Sequence, residues 1–205
     1  MILNQEGFIQ VILLWLSINL TTLIIAYTFN NPNLVLGKGK NGSINPIFLV
    51  INFPWLLLTW AIFKIQIFLS KENFADQIKG TNIWISRRPT SKEKLESFEL
   101  VIDLTAEFLK DKTNNYICYP NLDGHSLKSL PSIENFNPDQ KTLIHCANGH
   151  GRSALFTAII LKEGKVTKSI KEALDLILES RVLAKPNRDQ TNWIIKRDRL
   201  TNGST

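Results

Sequence analysis

The chain has 205 residues, 44% of them hydrophobic and 20% charged, and its 24 Lys and Arg against 18 Asp and Glu leave a formal net charge of +6. The basic residues lack interleaved aromatic platforms and no binding motif accompanies them, which excludes nucleic-acid recognition. No internal repeat or low-complexity tract is present, and only two cysteines occur, Cys118 and Cys146.

Residues 7 to 37 carry no charged side chain. The run 8–29 is long enough for a bilayer core that needs about 20 apolar residues, so it is expected to span. A second apolar run, 47–69, has Lys64 as its only charged residue, which can snorkel, and Pro54 is positioned to kink it. The Asn-, Pro- and Gly-rich stretch between the runs reads as a turn. A removed signal peptide fits poorly, because the first residues lack a positive n-region and no small-residue cleavage site follows. Burial of both runs in a soluble core is the remaining alternative. Residues 1–70 are thus expected to form a two-helix transmembrane anchor.

The connecting turn has Lys38 and Lys40, whereas Lys64, Lys71, Lys79, Arg87 and Arg88 follow at or beyond the second run. The positive-inside rule then puts the part after the second run in the cytoplasm and the turn on the far side. A reactive thiolate also persists best where thiols stay reduced.

Residues 71–205 are sized for one domain of about 100 to 150 residues. Thr90 and Glu93 have capping-box spacing ahead of a helix. The runs 98–104, 115–120 and 142–146 read as short strands, with helical patterns at 105–111 and 152–164 between and after them. This alternation predicts an α/β fold, a mixed central sheet flanked by helices. The helix from 152 is apolar nearly all round and should be buried. Ile170, Ala173, Leu174, Ile177 and Leu178 mark another, a last includes Trp193, Ile194 and Ile195, and the tail 201–205 reads as frayed. The basic cluster Arg181, Lys185, Arg188, Lys196, Arg197 and Arg199 reads as a solvated face, or one favouring anionic lipid or acidic substrates.

The segment His145-Cys146-Ala147-Asn148-Gly149-His150-Gly151-Arg152-Ser153 joins the last strand to the buried helix. Backbone N–H groups of a tight loop and of a helix N-terminus converge there, and Gly149 and Gly151 permit the backbone conformations this needs. Such surroundings favour a thiolate at Cys146. Arg152 offers a planar fork that can hold two phosphate oxygens. A leaving alkoxide or phenoxide needs a proton, and the best-placed carboxylic acid is Asp123, in a Pro- and Gly-containing segment after the 115–120 strand. Asp103 and Asp139 are rivals, the first better suited to a structural hydrogen bond and the second to a solvated turn. Cys118 reads as a small core residue, with a reversible disulfide to Cys146 as the minor alternative. His125, His145 and His150 lack paired ligand spacing, so neither a metal nor another cofactor is expected.

This segment resembles the signature of the cysteine-dependent protein tyrosine and dual-specificity phosphatases, His-Cys, five residues, Arg-Ser/Thr, in the manner of a membrane-anchored bacterial-type member. Residues 79–90 are similar to the opening strand and turn of the same family. The resemblance covers about residues 75 to 205. It implies a tyrosine-phosphatase-like fold and hydrolysis of phosphomonoesters of the phosphotyrosine, phosphoserine and phosphothreonine type through a phosphocysteine intermediate. In those terms Cys146 is the nucleophile, Arg152 and the loop amides of Ala147, Asn148, Gly149, His150 and Gly151 hold the phosphate, and His145 orients the loop. Ser153 assists breakdown of the phosphocysteine, Asp123 is the general acid, and Gln190 resembles a late Gln that positions the hydrolytic water. The expected partners are a phosphorylated protein or a phospholipid monoester, together with the bilayer. Inositide phosphatases carry two lysines in this loop where Ala147 and His150 stand here, which argues against polyphosphorylated headgroups. A phosphate-binding module without turnover is the alternative from outside enzymology.

Overall fold

The computed structural model describes residues 5–130, 137 and 139–202. Three helices come first: α1 (Gln5–Thr28), the short α2 (Asn33–Leu36) and α3 (Pro46–Leu69). Among the described residues five strands and three helices follow: β1 (Ala75–Gln77), β2 (Ile83–Ser86), β3 (Leu100–Thr105), β4 (Tyr116–Asn121), β5 (Thr142–His145), α4 (Gly151–Glu163), α5 (Ile170–Ser180) and α6 (Arg188–Asn202). The strands form one sheet in the order β1-β2-β5-β3-β4, antiparallel between β1 and β2 and parallel elsewhere. A mixed sheet flanked by helices is the architecture expected.

Alternation of side chains across the central strands divides the core. Ile102, Leu104 and Ile144 face the cluster built around α4, whose side chains from Arg152 to Leu161 are all buried. Val101, Cys118 and Leu143 face the opposite layer with Leu95 and Tyr116. α5 buries Ile170, Ala173 and Ile177 at helical spacing, and Ile194 anchors α6. β5 is buried at every position and paired on both sides, so its C-terminal end, where Cys146 follows, is held by β2 and β3 together.

Several local expectations are corrected. Residues 105–111 form no helix, because Ala106, Glu107 and Phe108 are all buried and each is directed to a different neighbour, an arrangement one helical face cannot satisfy. Thr90 and Glu93 do bond to each other, with the Thr90 N–H donating to Glu93 Oε2 at 2.8 Å, but the pair closes a turn and Arg87 claims the other carboxylate oxygen at 2.6 Å. β1 is an edge strand too short to leave a periodic pattern. Arg181 is buried, donating to Asp76 Oδ2 at 2.6 Å and to the Asn73 carbonyl at 3.1 Å, so it does not belong to a solvated face. α6 continues through Asn202, and residues 203–205 lie outside the described residues.

α1 and α3 are each 24 residues, about 36 Å at 1.5 Å per residue, and both are long and apolar enough to cross a bilayer core of about 30 Å. They cross through a buried Asn19 to Asn52 hydrogen bond of 3.0 Å, and Asn52 also donates to the Leu34 and Val35 carbonyls. The linker between them packs on the sheet itself, whereas the charge pattern suggests a turn set apart from it. The Lys40 carbonyl accepts the Cys118 N–H at 2.8 Å along β4, an edge strand that Pro120 interrupts. Lys38 reaches past it to Asp103 Oδ2 at 2.6 Å, both side chains fully buried. Composition alone could not show this, because an internally paired lysine looks like any other linker charge. Ala26, Val35, Leu36 and Leu56 share a core with Ala106 and Leu122 of the sheet-bearing part.

Candidate active site

The loop after β5 closes over Cys146 as the sequence suggests. Cys146 is buried, its sulfur receives the Gly149 N–H at 3.3 Å, and the Ser153 hydroxyl lies 3.5 Å away. Gly149 has φ +76°, and a Cβ there would stand 2.6 Å from the Ser86 backbone, so both conformation and space require glycine. His150 caps α4 without a side-chain hydrogen bond, which leaves the first-turn N–H groups facing the loop. The loop is fastened from outside: the Ala147 carbonyl accepts from the Arg88 N–H at 2.8 Å and the Asn148 carbonyl from Arg181 at 3.4 Å.

Arg152 is wholly buried and its guanidinium is oriented by two groups. Glu107 takes the Nη1–Nη2 edge in a fork, at 2.9 and 2.7 Å, and the Asn121 carbonyl accepts the other Nη1 hydrogen at 2.8 Å. What remains is the Nε–Nη2 edge, and Nε has no hydrogen-bond partner. Asp123 Oδ1 lies 3.3 Å from Nε, outside hydrogen-bonding alignment, on a carboxyl that is 70% exposed. Burial opposes the Arg152 charge, but Glu107 and then Asp123 outweigh it and hold the guanidinium protonated even beyond its usual range. A buried, preoriented cation whose remaining edge has only an exposed carboxyl near it, and no hydrogen bond at Nε, suits two oxygens of an anion.

The acid-bearing segment is held in place by its surroundings. Asn121 Oδ1 accepts the Lys128 and Ser129 N–H groups at 2.6 and 3.0 Å, closing a loop that displays Asp123. Gln190, buried at the start of α6, donates from Nε2 to the His125 carbonyl at 3.0 Å, and Asn187 donates to the Gly124 carbonyl at 2.9 Å. Gln190 also abuts Gly151, where a Cβ would meet its Oε1 at 2.8 Å. It therefore links the acid loop to the phosphate loop.

Of the other expected residues, His145 points below the loop, 3.0 Å from Asp111 and 4.0 Å from Asp103, with Nδ1 3.3 Å from the Cys146 carbonyl oxygen. It supports the loop from beneath and does not line it. His150 is turned outward to Glu72 at 2.9 Å. Asp139 sits before β5, at the end of the strand opposite Cys146, so it is no rival acid. Asp103 is locked by Lys38, by the Tyr116 hydroxyl at 2.6 Å and by the Thr105 N–H at 2.7 Å. Burial disfavours its charge, yet Lys38 above all, with His145 and Tyr116, keeps the carboxyl well below the usual carboxylate range. Asp103, Asp111 and His145 are near enough to share an ion, but the Lys38 ammonium already occupies that neighbourhood. Cys118 is fully buried, and burial with the nearby Asp103 charge pushes its thiol up to about 12. Both cysteines are free.

Sequence reasoning missed Glu107, which lies 45 positions before Arg152. The signal that could have found it is an acid set between Ala106 and Phe108 in the otherwise largely apolar run 101–108, which also holds Asp103 and Thr105.

No family model matches the chain, and no curated protein matches it in sequence. Solved structures do match. Human DUSP28 superposes with a TM-score of 0.51 at 14% identity, over 64% of this chain and 97% of that one. A mouse dual specificity phosphatase complexed with zinc tungstate gives 0.51 at 14%, over 66% and 96%. Tk-PTP in its active form gives 0.48 at 24%, over 60% and 95%. The chain has the fold of these dual-specificity phosphatases, with two long apolar helices ahead of it.

Proposed function

We propose that this chain hydrolyses phosphomonoesters through a phosphocysteine intermediate, as a membrane-attached phosphatase of the dual-specificity type. The observation that carries the reading is the convergence of the Cys146 sulfur, the Gly149 N–H and the open Nε–Nη2 edge of Arg152 at the head of α4. The phosphate docks on that edge and on the loop amides. The Cys146 thiolate attacks phosphorus in line, the P–O bond to the leaving group breaks, and Asp123 gives its proton to the departing oxygen. Charge that develops on the equatorial oxygens is met by donors already in place. Water then attacks phosphorus, Asp123 takes up its proton, the S–P bond breaks, and Ser153, 3.5 Å from the sulfur, hydrogen-bonds the returning thiolate as phosphate leaves. The route requires no metal or organic cofactor. Gln190 acts here through the acid loop it holds, with water positioning as a further role.

α1 and α3 attach the chain to a bilayer, and the free thiol of Cys146 favours a reducing, cytoplasmic location for the catalytic part. The test is turnover of an aryl phosphate by the full chain in detergent. Hydrolysis abolished by Cys146→Ser and unaffected by chelators supports the enzyme. Phosphate binding without turnover in the wild type contradicts it.

A further inference from the structure

The phosphate loop does not open onto bulk solvent alone, because α3 stands beside its mouth. A cavity of about 180 Å³ lies between Trp55, Ile62 and Phe63 of α3 with Tyr27 of α1 on one side, and Asp123 and Ala147 on the other. A second cavity of about 340 Å³ continues past Gln66 and Asn148 to the end of α3. The contact is built in. The Trp60 indole N–H donates to the Glu107 carbonyl at 2.9 Å, and Phe63 packs on Phe108 with ring centroids 4.9 Å apart, so the helix braces the very segment that orients Arg152.

The first cavity is smaller than the roughly 300–1,000 Å³ of pockets that enclose a drug-sized ligand. It has room for a headgroup, and the neighbouring cavity offers a route along α3 for what is esterified to the phosphate. There the surface is apolar: Ile65, Phe68 and Leu69 are 58%, 87% and 69% exposed, in line with the half-exposed Ile62 at the cavity. An apolar strip of this kind, joined to a phosphate site and rich in side chains that water does not favour, suits hydrocarbon. The linker, docked on the same domain through Lys38 and Asp103, keeps the pocket at the level of the helices.

We infer that the substrate is a membrane lipid bearing a phosphomonoester headgroup, which enters sideways from the bilayer with its phosphate at Cys146 and its acyl part along α3. The inference rests on the phosphatase reading above. In the reaction the lipid alcohol is the leaving group protonated by Asp123, and water supplies the oxygen of the released phosphate.

The experiment uses the full chain in mixed micelles with four substrates: dioleoyl phosphatidic acid, glycerol 3-phosphate, a phosphotyrosine peptide and an aryl phosphate. The expected kcat/KM for the phosphatidic acid exceeds those for glycerol 3-phosphate and for the peptide by about 100-fold, since binding of the remote acyl part is used in the transition state. Ile62→Glu is expected to cut the lipid value about 10-fold more than the glycerol 3-phosphate value, as burial of a few methylenes is lost. Turnover of the aryl phosphate with equal values for lipid and glycerol 3-phosphate, or with the peptide preferred, overturns the lipid inference alone. No turnover of any of the four overturns the phosphatase reading beneath it.

Discussion

Glu107 grips Arg152 across its Nη1–Nη2 edge, at 2.9 and 2.7 Å, and by doing so decides which edge of the guanidinium meets a ligand. With the Asn121 carbonyl holding the remaining Nη1 hydrogen at 2.8 Å, rotation of the group is blocked and the Nε–Nη2 edge stays open. Glu107→Gln keeps the shape but removes the charge and one acceptor oxygen. Its kcat/KM should fall about 10- to 100-fold through misorientation of the cation. Glu107→Ala leaves a buried unpaired charge and should also lose about 3–5 kcal/mol of stability, read from denaturant midpoints. Wild-type kinetics in Glu107→Gln would remove Glu107 from the site.

The Lys38–Asp103 pair gives a stability prediction with a definite sign. Asp103 is held below the ordinary carboxylate range, so its contribution is present above about pH 4, where an unfolded aspartate ionises, and fades as pH falls from there toward the folded value. For Lys38 burial opposes the charge, but Asp103 and Cys118 outweigh it and raise its proton affinity. That contribution is full below about pH 10.4 and is lost as pH rises through the folded value. Thermal unfolding should therefore show no contribution from this pair to pH dependence between about pH 5 and 10. Lys38→Met should cost about 3–5 kcal/mol, because Asp103 stays buried without its cation, and adding Asp103→Asn should recover part of the loss. A Lys38→Met protein as stable as wild type would mean that the linker is not docked on the sheet.

The Asp123 carboxyl is 70% exposed beside Arg152, whereas Asp103 is fully buried against Lys38. Asp123→Asn should slow alkyl phosphates by about 10²- to 10⁴-fold while slowing an aryl phosphate with a good leaving group much less. Equal slowing of both would exclude Asp123 as the proton donor.

Gly149→Ala meets two obstacles at once, the left-handed backbone at φ +76° and the Ser86 backbone 2.6 Å from the new Cβ. The phosphate loop has to shift, so inorganic phosphate inhibition and turnover should both weaken by more than about 10-fold, since small misplacement at the reacting centre is costly. Unchanged inhibition by phosphate would show that the loop conformation is not set there.

The parts of the site legible in the sequence are those in contact along the chain. Cys146, Gly149, Arg152 and Ser153 lie within one turn whose chemistry follows from spacing, and Asp123 stood out because Pro120 and Gly124 punctuate its loop. Glu107 was hidden because the pattern around it suits a helix, while its actual geometry is set by Arg152, by Trp60 and by packing of Phe108 on Phe63. The apolar helices were plain from composition. Their docking was not, since a buried lysine in a polar linker has no local signature and reveals itself only when the partner strand is in place. Gln190 stands out in the sequence through the family resemblance alone, and its hydrogen bond to the His125 carbonyl depends on a tertiary approach of α6 to the loop that carries Asp123.

Covalent capture of the transferred phosphoryl group tests the central claim most directly. Full-length protein mixed with an aryl phosphate and quenched in acid within milliseconds should carry one phosphate on the peptide containing Cys146, read by mass spectrometry, and Cys146→Ser should remove the thiophosphate linkage. Substrate turnover with no phosphate on that sulfur at any quench time would contradict the account.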